Sequence, residues 1–217
     1  MLQQLNKMIY SDMKKIGLLS LFCIVISISA QAQTVAIKTN LLYDVLTTPN
    51  LGVEVAVAKK FTIDLTGQYN PWDLPRNSSM KHYMAQAEGR YWIFEAFNGH
   101  FVGVHAQYLG GIEFSGLKLF PTFDQFVFDN DFTYKNGQGY GGGISYGYQM
   151  YLTPRLNICF TIGIGYNYFK YDKFKHAIFP GDNYYEKSES NENYLGIFEN
   201  NYFGLTKAGV SIIYIIK

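Results

Sequence analysis

Apolar residues recur at every second position through much of this chain. In residues 51–70, "LGVEVAVAKKFTIDLTGQYN", one alternate row is apolar, and the opposite row carries Glu54 and Asp64. A period of two is typical of β-strands whose two faces meet different surroundings. The stretch therefore predicts two adjoining strands, each apolar on one face and charged near the centre of the other.

Eight segments alternate in this way, and no amphipathic helical stretch follows residue 33. The connections alternate between short ones ("KK", "EAFNG", "TPR") and long ones near 71–80, 114–138 and 171–201. An even strand number with this alternation predicts an all-β fold, an eight-stranded antiparallel up-and-down transmembrane β-barrel. We place its strands near residues 34–43, 50–58, 61–70, 81–93, 100–113, 139–152, 155–170 and 202–216.

The polar rows predict what fills such a barrel. If the Val, Leu and Ile rows face lipid, the opposite rows face an interior that is just wide enough for side chains. Buried charges persist when they are paired, because an orphan charge costs several kcal/mol. We expect a closed polar network rather than an open pore, formed by Lys38, Glu54, Asp64, Glu88, Arg90, His105 and Lys207, with Asn40, Gln86, Gln107, Gln149 and Asn157 also inside.

The chain is rich in aromatic residues, with 19 Tyr and 17 Phe. Aromatic side chains concentrate at both interfaces of membrane barrels. Those near strand ends are expected to form such girdles: Tyr43, Tyr69, Tyr91, Trp92, Tyr108, Tyr148, Tyr166 and Tyr214.

The segment "MKKIGLLSLFCIVISISAQAQ" begins at Met13 with two lysines, continues as an apolar run and closes on a small-x-small pattern. This is the pattern of a secretory signal peptide. We expect residues 1–32 to be an N-terminal extension plus signal peptide, with the real start at Met13, and 33–217 to be a single barrel domain. Cys159 then remains without a cysteine to pair with.

Charge and candidate chemistry exclude several function classes. The 18 Lys and Arg against 17 Asp and Glu offer no basic footprint for nucleic acid.

A nucleophile needs a base within hydrogen-bond reach. The histidines are scattered and Ser145 and Ser211 lie on inward rows, so we expect no catalytic residues. The loop "DNDFTYKNG" lacks the glutamate of a calcium loop, since position 140 is Tyr. No metal or cofactor is expected.

Loops 114–138 and 171–201 are the candidate interaction surface. Loop 114–138 is dense in aromatic residues, and exposed aromatic clusters mark interaction sites; alternatively, these rows lengthen the strands beyond the membrane. The candidate contacts in this loop are Phe120, Phe123, Phe126 and Phe128.

The last strand, "KAGVSIIYIIK", carries Gly209, Ile212 and Tyr214 at a spacing that resembles the signal read by the barrel-assembly machinery of the outer membrane. The chain runs past Tyr214 to Lys217, whereas an aromatic terminus is common in that signal. The machinery is therefore an expected partner during biogenesis.

The motifs "TNLLYD", "TPNLGVE", "YNPW", "RYW" and "FNGHFVG", in that order, resemble a Bacteroidota family of small outer-membrane barrels of unknown function. The resemblance implies an OmpA-like transmembrane barrel in the bacterial outer membrane, in contact with its lipid. It also implies a surface context with a possible fimbrial partner, and it brings no catalytic residues. We expect a non-enzymatic envelope scaffold. A narrow channel, a lipid-modifying enzyme and a soluble periplasmic ligand-binding barrel are the alternatives.

Overall fold

The computed structural model describes residues 34–74, 78–115, 132–176 and 192–216. Strands account for most of them, which confirms the all-β class. The elements in chain order are β1 (Val35–Asn40), α1 (Leu41–Val45), β2 (Asn50–Ala58), β3 (Phe61–Asn70), β4 (Asp73–Leu74), β5 (Ser78–Trp92), β6 (Gly99–Ser115), β7 (Phe132–Tyr151), β8 (Leu156–His176) and β9 (Glu192–Ile215).

Eight strands form a closed ring. Each pairs antiparallel with the next along the chain, with β3 pairing directly with β5. The ring closes where β9 pairs with β1, with Lys38 opposite Ile213. The two-residue β4 adds only to the end of β5. The predicted eight antiparallel strands in up-and-down order are therefore confirmed.

The first connection differs from the prediction. β1 ends at Asn40, and residues 41–45 form the helix α1, whose first turn is capped by the Asn40 side chain accepting from the Leu42 N–H. The predicted strand to residue 43 and the expected absence of helix are both wrong here. A five-residue helix is too short to produce a helical period. Within the described ranges, no helix has the length and apolar character needed to cross a membrane.

The strands of the second half are longer than predicted. β6 continues to Ser115, and β7 already begins at Phe132. β8 and β9 extend their pairing to His176 and Glu192. Part of 114–138 and of 171–201 is thus strand, because pairing with a neighbour overrides the turn-rich local sequence. The candidate contacts Phe120, Phe123, Phe126 and Phe128 lie outside the described residues.

The two faces of the ring differ as the alternation predicts. Leu65 is 56% exposed, whereas the neighbouring Asp64 is 1% exposed. Two residues expected in an outer girdle lie elsewhere. Tyr43 belongs to α1 and lines a small interior cavity, and the Trp92 side chain is completely buried inside the ring. Trp92 lies two residues beyond Arg90 and therefore points to the same inner face.

Candidate functional site

One guanidinium lies at the centre of the ring interior. Arg90 donates from Nη1 to Glu54 Oε2 at 2.6 Å, from Nη2 to Asp64 Oδ2 at 2.8 Å and from Nε to Glu88 Oε2 at 2.6 Å. All four side chains are at most 2% exposed. The planar, many-donor guanidinium is suited to bridging several carboxylates in this way. The Arg90 side chain thereby links three strands, β2, β3 and β5.

Two lysines complete the charge balance. Lys38 Nζ lies 2.5 Å from Asp64 Oδ2 and 3.2 Å from Glu54 Oε2. Lys207 Nζ lies 2.8 Å from Glu88 Oε2 and 3.8 Å from Asp64 Oδ2. Three cations therefore face three carboxylates. We call these six residues, Lys38, Glu54, Asp64, Glu88, Arg90 and Lys207, the ion network.

The strand register explains why the cations are needed. Glu54 lies opposite Asp64 in the β2–β3 pair, and Asp64 lies opposite Glu88 in the β3–β5 pair. Like charges directly opposite each other destabilise a sheet. The row of three carboxylates is compatible with the fold because Arg90 and the lysines lie against it.

Hydroxyl groups bind two further carboxylate oxygens of the ion network. Thr62 Oγ1 donates to Glu54 Oε1 at 2.6 Å and accepts from Trp92 Nε1 at 3.0 Å. Ser145 Oγ donates to Glu88 Oε1. Sequence reasoning did not place Thr62 in this network. Its position two residues before Asp64 puts it on the same inner row, and that parity could have identified it.

His105 lies beside the ion network rather than within its ion pairs. It is 2% exposed, and its Nε2 lies 2.9 Å from Thr206 Oγ1. Its Nδ1 has no hydrogen-bond partner among the described residues. The Ser145 hydroxyl is bonded to Glu88 and not to this imidazole. The site therefore contains no serine–histidine pair.

An apolar floor closes the ring at the end where the short turns lie. The buried cluster consists of Ala36, Trp92, Phe97, Phe101, Cys159 and Ile213. The rings of Trp92 and Phe101 lie 4.7 Å apart, and the Arg90 guanidinium lies 4.5 Å from the Phe101 ring centroid. A cation over an aromatic face is attracted to it, more strongly when water is excluded. Sequence reasoning assigned only polar filling to the interior and missed this floor.

Little free space remains on the other side of the ion network. A cavity of about 30 Å³ lies there, lined by Lys38, Tyr43, Asp64, Arg90 and Lys207 among others. That volume holds about one or two water molecules, whereas small-molecule sites measure roughly 300–1,000 Å³. Next to it, Gln86 Nε2 donates to Gln107 Oε1 at 2.8 Å, and Gln107 Nε2 donates to Asn167 Oδ1 at 2.9 Å. The interior is filled by its own side chains.

The model of one protein family, "Protein of unknown function (DUF3575)", matches residues 18–216. The chain belongs to this family. No curated protein and no solved structure matches the chain. The family assignment is thus compatible with the resemblance stated above and carries no activity with it.

The last strand of this DUF3575 protein holds the three residues of the expected assembly signal. Gly209 faces inward, where an added Cβ would lie 3.0 Å from Asn40 Nδ2, so glycine leaves room for that amide. Tyr214 faces outward and is 42% exposed, and Ile212 lies two residues before it on the same row. Among the described residues, no group of three His, Cys, Asp or Glu side chains is arranged to hold a metal ion.

Proposed function

We propose that this protein is an integral outer-membrane β-barrel, OmpA-like in its transmembrane part, that serves as a non-enzymatic scaffold of the bacterial envelope. The observation that carries the proposal is the apolar outer face of a ring whose charges lie inside. Val104 is 68% exposed, Leu51 63% and Ile144 62%. A continuous apolar belt of this kind is unfavourable in water, whereas lipid covers it favourably.

Aromatic pairs at two levels of the outer face support membrane insertion. Phe61 and Tyr91 lie 5.0 Å apart near the short-turn end, and Tyr83 and Tyr108 lie 6.2 Å apart towards the other end. β3 spans ten residues, and a tilted strand needs about 9–11 to cross the hydrocarbon core. The expected signal peptide and the assembly signal of β9 are consistent with export to that membrane and folding by its assembly machinery.

The filled interior supports a scaffold over a channel. The cavity of about 30 Å³ is small and bordered by paired charges, which favours a filled interior over a water-filled channel. In this proposal the ion network stiffens the barrel, and the long-strand end with loops 114–138 and 171–201 presents a contact surface. A surface or fimbrial partner fits that role. The Ser145 hydroxyl, bonded inside the ring to Glu88, also disfavours a lipid-modifying enzyme.

Membrane fractionation with heat-modifiable electrophoresis tests the proposal. We expect the protein in the outer-membrane fraction, with a faster band in SDS before boiling that disappears on heating. A soluble periplasmic protein without a heat shift would overturn the membrane assignment. Stepwise ion currents across a planar bilayer would favour a channel over the scaffold. Altered lipid A in cells that lack the protein would favour a lipid-modifying enzyme.

A further inference from the structure

One edge of β9 lacks a neighbouring strand over much of its length. β8 pairs with β9 along its whole course, whereas β1 pairs only with its last residues, ending where Asn40 faces Ser211. The Asn40 side chain continues the ladder by two bonds: its Oδ1 accepts from Val210 N–H at 3.1 Å, and its Nδ2 donates to the Ala208 carbonyl at 3.1 Å. Beyond these bonds, no described strand lies beside this edge, although the helix α1 contacts part of β9.

The direction of the free backbone groups follows from the register. Backbone groups of an antiparallel strand point alternately to its two edges, and Val210 points its N–H to the β1 side. The β8–β9 register shifts by one residue at Thr206, so above this bulge the odd-numbered residues point away from β8. Their N–H and C=O groups have no backbone partner among the described residues, and we call Ile197, Glu199, Asn201 and Phe203 the β9 edge.

The side chains of the β9 edge form a mixed row on the outer face. Ile197 is 60% exposed and Phe203 70% exposed. Between them, Glu199 lies 3.2 Å from Lys170, and Asn201 accepts from the Tyr166 hydroxyl. Phe203 lies opposite Tyr166 of β8, one of the aromatic residues expected at the membrane boundary. Ile197 lies beyond these polar residues along β9, and in the proposed membrane orientation it lies outside the lipid.

We propose that the β9 edge is a docking site for an extended segment of another polypeptide, which adds to the sheet as one more strand. Unpaired backbone groups on an edge recruit such a strand, and alternate side chains provide specificity. The segment carries apolar residues against Ile197 and Phe203 and a polar residue opposite Glu199, whose charge is already paired with Lys170. A further register shift near Leu195 bounds the regular edge, so the partner is a short segment.

Geometry disfavours a second copy of this chain as the occupant. Pairing of two identical edges is antiparallel and needs a two-fold axis perpendicular to the strands. Two copies in one membrane are related by a two-fold axis along the membrane normal. Because barrel strands are tilted about 35–45° from that normal, the β9 strands of the two copies would cross at an angle and could not pair antiparallel. This step rests on the proposed function, because it requires that both copies share one membrane.

Peptide selection on the folded protein in detergent tests the docking site. The probe is a displayed library of random peptides of roughly nine residues, within the usual length of a strand. The affinity of each enriched peptide is then measured for the unchanged protein and for the variants Asn201→Pro and Asn201→Ala. Proline removes an N–H that points away from β8, so the β8 ladder stays intact. Alanine keeps this N–H and removes only the side chain.

We expect Asn201→Pro to weaken peptide binding about tenfold or more, because it removes one backbone hydrogen bond and disturbs the neighbouring ones. Asn201→Ala should keep peptide binding within about twofold of that of the unchanged protein. The heat shift of each variant reports folding separately. Failure to enrich any peptide, or equal binding by the two variants, would overturn the docking site. Self-association that Asn201→Pro abolishes would assign the edge to a second copy instead. Loss of the heat shift in the unchanged protein would reject the membrane proposal alone.

Discussion

Arg90 and Glu54 lie 36 residues apart in the chain, yet Arg90 Nη1 and Glu54 Oε2 are 2.6 Å apart inside the ring. Glu54 is completely buried and Arg90 is 2% exposed. β3 lies between the two strands that carry them, so the ion pair spans three strands. Desolvated charges of this kind are favourable only as a complete set.

Removal of the central cation should destabilise the folded ring strongly. In Arg90→Leu, three buried carboxylates face only Lys38 and Lys207, and one broken buried pair costs about 3–5 kcal/mol. We expect a clear fall in the temperature at which the heat-shifted band disappears in SDS. Lys170→Leu, which breaks an exposed ion pair with Glu199, serves as the control and should change little. Equal behaviour of both variants would contradict a stabilising ion network.

Two neighbouring glycines test the packing of the interior. An added Cβ at Gly103 would lie 2.6 Å from Ser145 Oγ and 2.7 Å from Glu88 Oε1, whereas one at Gly89 would have no neighbour within 4 Å. Gly103→Ala should therefore destabilise the fold by about 1–3 kcal/mol through overpacking. Gly89→Ala should be neutral or slightly stabilising. Urea unfolding of both variants in lipid vesicles measures the difference, and an unaffected Gly103→Ala would mean that the interior is loosely packed.

Phe97 combines an unfavourable backbone with a buried ring. Its φ is 66° and its side chain is 2% exposed beneath Trp92. Phe97→Gly relieves backbone strain of about 1–3 kcal/mol but removes a buried ring worth about 3–5 kcal/mol. We therefore expect Phe97→Gly to unfold at a lower temperature than the unchanged protein.

Asn136 provides the matched control for Phe97, because its φ is 52° and its side chain is exposed. Asparagine tolerates a positive φ with little strain, and its exposed side chain contributes one hydrogen bond, donated to Asp172. Asn136→Gly therefore relieves little strain and removes no buried ring, so the change should stay within about 0.5 kcal/mol. A more stable Phe97→Gly protein would show that the apolar floor contributes less than the backbone strain costs.

Acid should loosen the hairpin end formed by β4 and β5. The Lys81 ammonium, which hydrogen-bonds to Asp73, lowers the pKa of this carboxyl from its ordinary value. A carboxyl with a lowered folded-state pKa adds stability above its unfolded pKa of about 4 and loses it as pH falls through the folded value. Amide exchange at Ser79, opposite Asp73, should therefore accelerate in acid beyond its intrinsic pH dependence. Asp73→Asn should remove that excess, and persistence of the excess in this variant would refute the assignment.

The sequence by itself determined which face of each strand each side chain occupies. Alternation with a period of two separates Asp64 from Leu65 without any knowledge of their neighbours, because successive side chains of a strand point to opposite faces. The even number of strands and the alternation of short and long connections similarly determined the up-and-down order. The same parity argument identifies Thr62 and Trp92 as inward residues once it is applied without exception.

Only the tertiary structure decided which inward residues meet. Arg90 reaches Glu54 because β3 pairs with both β2 and β5, and Lys207 reaches Glu88 because the ring closes through β1 and β9. These contacts depend on register and closure, which local patterns do not encode. The lengthened strands and the β9 edge follow from the same cause, because each is set by where a neighbouring strand ends rather than by the local sequence.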